Sequence, residues 1–161
     1  MSIRRVLEQR NLDLSQLLTI VIPTWSGGRP KLKALLTHWS SVGCRLRIVD
    51  GSDERWDPED LYARCNPGLV DYLHLPVTEN GVYENLRLRM FQGFEDISTP
   101  FVACCGDDDV YTQSGLRNAV QVLLNEPSLD TVVGRAIMVC PDNYGDLRWK
   151  HVHAEWRDSD V

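Results

Sequence analysis

Two five-residue runs, Leu18-Thr19-Ile20-Val21-Ile22 and Phe101-Val102-Ala103-Cys104-Cys105, are apolar on consecutive rather than alternating positions. Strands read this way when helices cover both faces of a parallel sheet, so the pattern points to an α/β layer structure. Leu46-Arg47-Ile48-Val49 is a further strand, and Val70-Asp71-Tyr72-Leu73-His74-Leu75 alternates like a half-exposed one. A fifth is expected over Thr131-Val132-Val133-Gly134-Arg135-Ala136-Ile137-Met138-Val139. Helical stripes separate the runs. Leu32, Leu35, Leu36 and Trp39 follow the spacing i, i+3, i+4, i+7, with Pro30 near the start and Gly43 placed to end the helix in the left-handed region. Asp57 precedes Pro58 as the cap of a short helix. Tyr83, Leu86, Met90, Phe94 and Ile97 form another stripe, and Leu116, Ala119, Val120, Leu123 and Leu124 a third that stops before Pro127. Strand and helix alternate, so right-handed crossovers build a mostly parallel, Rossmann-like sheet flanked by helices.

The 161 residues suit one domain, divided into a helical extension over 1–16, a core over 17–139 and a polar tail over 140–161. No apolar run reaches the length of a membrane span, and Met1-Ser2-Ile3-Arg4-Arg5 opens without an export signal. A cytoplasmic protein, at most peripheral to a membrane, is the expectation. The formal charge of -6 argues against a nucleic-acid partner. Five cysteines without a Cys-x-x-Cys pair read as reduced thiols, mostly core filler, with neighbouring Cys104 and Cys105 pointing to opposite faces. An open sheet edge in so short a chain would be shielded by a second copy, giving a homo-oligomer.

Ligands of open parallel sheets bind beyond the carboxyl ends of the strands. Here those ends read Pro23-Thr24-Trp25-Ser26-Gly27-Gly28, Asp50-Gly51-Ser52-Asp53 and Gly106-Asp107-Asp108-Asp109. Adjacent carboxylates repel and require a neutralising cation, for which hard oxygen donors suit Mg²⁺ or Mn²⁺. The plain alternative is a turn in which one aspartate caps the helix beginning near Thr112 or Ser114. The Ser26-Gly27-Gly28 loop matches neither phosphate-binding glycine signature and reads as helix punctuation.

Taken in order, Ile20-Val21-Ile22-Pro23-Thr24-Trp25, Ile48-Val49-Asp50-Gly51-Ser52-Asp53, Glu79-Asn80-Gly81-Val82-Tyr83-Glu84-Asn85 and Phe101 through Val110 with its Gly106-Asp107-Asp108-Asp109 resemble glycosyltransferase family 2 over 17–139. The resemblance implies a GT-A fold, truncated after the donor-binding part. It implies transfer of a sugar from a nucleotide-diphospho-sugar to an acceptor hydroxyl on a glycan, lipid-linked sugar or small molecule. By position, it places Pro23, Thr24, Trp25, Asp50, Ser52, Asn85, Arg87 and Asp107 against the nucleotide-sugar, with Arg89 as a second arginine near the phosphates. Asp108 and Asp109 become the ligands of Mn²⁺ or Mg²⁺.

A general base is expected late in the chain, where Glu155 and Asp158 are the candidates and His151-x-His153 is a weaker metal motif. Two other readings compete. One is a catalytically incomplete module that binds nucleotide without turnover. The other is a sugar-nucleotide nucleotidyltransferase, which needs a more glycine-rich and basic first loop than Ser26-Gly27-Gly28-Arg29.

Overall fold

Alternation along the first two strands sends Ile20, Ile22, Leu46 and Ile48 into one packed layer with Leu32, Leu36 and Trp39. Val21 and Val49 face the opposite way, close enough to Gly93 that a Cβ there would lie 2.8 Å from each. These contacts belong to a computed structural model that describes residues 12–76, 82–134, 136–141 and 147–152. Its order is α1 (Leu14–Leu17), β1 (Leu18–Thr24), α2 (Arg29–Val42), β2 (Arg45–Asp50), α3 (Pro58–Tyr62), β3 (Val70–His74), α4 (Val82–Phe94), β4 (Phe101–Cys104), α5 (Gln113–Asn125), β5 (Ala136–Pro141) and β6 (Leu147–Val152). A 3-10 turn, Pro67–Leu69, leads into β3.

Strands β1 to β4 form one parallel sheet in the order β3-β2-β1-β4. The chain leaves β1 for β2 and β3 on one side and returns on the other as β4. The strand order therefore reverses at β1, and the gap between the ends of β1 and β4 is the topological switch point. This is the expected Rossmann-like arrangement. The helix boundaries also agree with their signals: Asp57 accepts from the Glu59 amide, and Gly43 ends α2 at φ 74°.

Three expectations are corrected. β4 is an edge strand whose burial alternates, with Val102 49% exposed and Cys104 exposed while Cys105 is buried; helices do not cover both its faces among the described residues. Residues 131–134 are irregular, and the fifth strand begins at Ala136 and pairs antiparallel with β6. Among the described side chains of α4, Asn85, Arg89 and Gly93 are the buried positions, whereas Leu86 and Phe94 of the apolar stripe are exposed.

The chain divides into two compact units, Met1–Gln121 and Val122–Val161, with the division inside α5. The first holds the parallel sheet and everything described below; the second holds the β5–β6 hairpin. No helix among the described residues is long and apolar enough to cross a membrane.

Candidate functional site at the carboxyl edge

Asp50 ends β2 with 0% of its surface exposed, and a carboxylate there must be surrounded by donors. Ser52 donates to Oδ1 through its amide at 3.0 Å and its hydroxyl at 2.5 Å. Tyr72 Oη donates to Oδ2 at 2.6 Å, and Arg29 donates to the same oxygen through Nε at 3.1 Å and Nη2 at 2.6 Å. Burial pushes the carboxyl's pKa up, but the hydrogen bonds from Ser52, Tyr72 and Arg29 outweigh it and hold Asp50 below the usual carboxylate range. Arg29 also donates to Glu54 O and lies 5.7 Å from the centre of the Trp56 ring. His74 Nε2 lies 2.7 Å from Ser52 O; a carbonyl only accepts, so that nitrogen carries the proton.

Beside this hub lies a second buried cation. Arg89 is 8% exposed and donates from Nε to Asn85 O at 3.1 Å and from Nη1 to Thr24 O at 3.0 Å. Burial draws its pKa down, while Asp50 and Asp107 pull it up. The guanidinium presses so closely on β2's end that a Cβ on Gly51 would sit 1.7 Å from Nη1. Arg89 thus clasps the ends of β1 and β2 from α4.

The switch point is bridged by Thr24, whose Oγ1 donates to Asp107 Oδ2 at 2.9 Å. Gly28 makes room for it, since a Cβ there would lie 1.6 Å from that oxygen. Asp108 faces α2, where Lys31 Nζ donates to its Oδ2 at 2.9 Å; both side chains are more than half exposed. That bond holds the Asp108 carboxyl below its ordinary range. Asp109 is exposed. No aspartate caps α5: the Thr112 hydroxyl accepts from the Gly115 amide instead. The acidic turn is therefore not explained by helix capping. Trp25 stands beside it 58% exposed, with its ring against Gly27.

Among the residues expected at the site, Thr24, Trp25, Asp50, Ser52, Asp107, Asp108 and Asp109 all lie at this edge. Pro23 is half-buried within β1, opposite Val49. Asn85 is buried and lends its carbonyl to Arg89. Arg87 is turned outward, paired with Glu84 at 2.6 Å and set over Phe91, while Arg89 lies buried on the inner face. Glu155, Asp158 and His153 lie outside the described residues. Sequence reasoning missed Arg29, Lys31 and Tyr72. The signal available for the first two was a helix N-terminus carrying Arg29, Lys31 and Lys33 with no acid in its first turn.

Asp107 turns towards β1 and Asp108 towards α2, and among the described residues no three His, Cys, Asp or Glu side chains group so as to hold a metal ion; the expected ligation by Asp108 and Asp109 alone calls for no third side chain. Two concave spaces among the described residues lie elsewhere. A cavity of about 100 Å³ at the amino edge is lined by Arg45, Arg47 and Asp71, and an apolar groove of about 360 Å³ runs along Leu86, Met90, Phe91 and Phe94.

No family model and no curated protein matches the chain. A solved structure similar to it is the SpoU methyltransferase AviRb from Streptomyces viridochromogenes, at 14% identity over 62% of this chain and 45% of that one, with a TM-score of 0.29. The chain spans less than half the length of that structure's chain. The expected membership of glycosyltransferase family 2, and with it the sugar transfer it implied, is corrected: no model of that or any other family matches the chain. At that TM-score the likeness carries no inference about what this chain acts on.

Proposed function

We propose that this domain binds a nucleotide across the switch point of its parallel sheet. The observation that carries the reading is the Thr24–Asp107 bridge between the ends of β1 and β4, flanked by the exposed Trp25 ring and the Lys31 ammonium. Open α/β sheets bind ligands at this position. The three groups match the parts of a nucleotide. An exposed indole offers a flat face for a base, a hydroxyl and a carboxylate suit ribose hydroxyls, and an ammonium serves phosphate as a point charge. Asp50 supports the reading from below: its acceptors are already engaged, so it fixes Arg29 and the β2 end rather than meeting the ligand.

Calorimetric titration with uridine, cytidine, guanosine and adenosine 5′-diphosphates tests this. At least one should bind, and Trp25→Ala should weaken it by about 1–3 kcal/mol, the contribution of one base stacked on an aromatic ring, or roughly 5- to 150-fold. Absence of binding by all four, or binding untouched by Trp25→Ala, overturns the proposal.

A further inference from the structure

Three successive carboxylates at an exposed turn demand positive charge, and the sequence alone suggests a divalent ion. The molecule answers the demand differently. The beginning of α2 carries Arg29, Lys31 and Lys33 at the positive end of its own dipole, where cations are disfavoured. Each is matched by an acid from another element: Arg29 by Asp50 at 2.6 Å, Lys33 by Asp60 at 2.5 Å and Lys31 by Asp108 at 2.9 Å. The Arg29 pair is buried on its acid side, whereas the Lys31 pair is open to solvent on both sides and free to rearrange around a ligand. Asp107 has its own donor in Thr24 and faces the charge of Arg89. What remains for a metal is a scattered set of carboxylates, one already holding an ammonium.

We propose that Lys31 is the resident cation of the Asp107-Asp108-Asp109 turn, standing in place of a divalent ion, and that the site accepts nucleotide phosphates without metal. The second half of this statement rests on the nucleotide reading above; the first does not. On ligand entry Lys31 swings from Asp108 to phosphate oxygen, and the exposed aspartates are left to water. The mutual support of the two groups shows in their acidities: hydrogen bonding and attraction from Asp108, with a further pull from Asp107, hold the Lys31 ammonium above its ordinary range.

The experiment is a Mn²⁺ titration of the wild-type chain and of Lys31→Met, read by the loss of the free-ion electron paramagnetic resonance signal. Both proteins are checked for equal thermal stability. Wild type should leave Mn²⁺ free up to roughly millimolar concentrations. Lys31→Met, with the acids released, should bind at least roughly tenfold more tightly, and Asp108→Asn in that background should abolish the gain. Tight Mn²⁺ binding by wild type, or no gain in Lys31→Met, overturns the role of Lys31 whether or not any nucleotide binds.

Nucleotide titrations in chelator and in Mn²⁺ then address the second half. Equal affinity in wild type, with a loss of roughly tenfold in Lys31→Met under chelator, is expected. A nucleotide that binds wild type only with metal overturns it. If no nucleotide binds, the nucleotide reading fails and the metal-free acceptance fails with it, while the Mn²⁺ comparison still decides what neutralises the turn.

Discussion

Replacing Gly51 by alanine tests the clasp that joins α4 to the site. The new Cβ would stand 1.7 Å from Arg89 Nη1, 2.5 Å from Cζ and 2.8 Å from Cδ. A tilt of the guanidinium tip does not clear Cδ, so the whole side chain must move, and at 8% exposure it has little solvent to move into. Its hydrogen bond to Thr24 O is lost. A hydrogen bond from a charged group contributes about 1.5–3 kcal/mol. Thr24 O keeps the Gly51 amide as a donor at 2.9 Å, so Gly51→Ala should lower stability by about 1.5–3 kcal/mol, the loss of the Arg89 bond alone. Urea unfolding measures this as a fall in midpoint with unchanged slope. The mechanism is isolated by repeating the substitution in Arg89→Ala, where the cost should shrink to under about 1 kcal/mol because no side-chain atom beyond Cβ remains to collide. An equal cost in both backgrounds would refute the claim that Gly51 is glycine for the sake of Arg89.

Tyr72→Phe removes a donor to Asp50 and leaves the Trp56 amide without its 2.8 Å acceptor, so a loss of about 1–3 kcal/mol is expected in the same assay. Its pH dependence gives a second readout. Burial, and then the Asp50 hydrogen bond, push the Tyr72 hydroxyl up from 10.0 to about 12. The folded value lies above the unfolded one, so the contribution is full below the unfolded value and drains away as pH rises through the folded value. The stability gap between wild type and Tyr72→Phe should therefore stay constant below pH 10.0 and narrow as pH rises from there towards about 12; a gap that widens over that range contradicts the assignment. Gly28→Ala places a Cβ 1.6 Å from Asp107 Oδ2 and 2.9 Å from Thr24 Oγ1, breaking the bridge at the switch point. Because Asp107 is only half-buried and can rotate away, thermal stability should fall less than in Gly51→Ala while nucleotide affinity falls roughly tenfold. Unchanged affinity removes the bridge from the site.

Much of the fold was legible because its signals are local. Consecutive apolar residues marked β1, Asp57 and Gly43 marked helix ends, and strand and helix alternated in the order a parallel sheet requires. The failures share a cause: periodicity shows that a face is apolar, not that anything covers it. The stripe of Leu86, Met90 and Phe94 reads as the inner side of α4, yet Arg89 and Gly93 take that side. Gly93 lets the helix backbone approach Val21 and Val49, and Arg89 reaches the carbonyl of Thr24. Val102 and Cys104 look like a buried strand for the same reason, and their exposure follows from the position of β4 at the sheet edge.

At the site, position was readable and chemistry was not. Thr24, Asp50 and Asp107 stand where strand ends must place them, but nothing in Asp-Gly-Ser-Asp announces that Asp50 is saturated by Arg29, Tyr72 and Ser52. Those partners lie on separate elements and meet only in three dimensions. The family resemblance rested on short polar strand ends, and such ends occur on open parallel sheets that serve unrelated chemistries.

The central claim, that a nucleotide sits at the switch point between β1 and β4, is tested most directly by backbone amide chemical shifts recorded during titration with the four nucleoside diphosphates. The expected result is perturbation concentrated at Trp25, Gly27 and Gly28, at Lys31 and at Gly106 through Asp109, while the amides around Arg45 and Asp71 at the opposite edge stay still. Shifts confined to the Leu86–Phe94 groove or to that amino edge, or no shifts with any of the four, would contradict it.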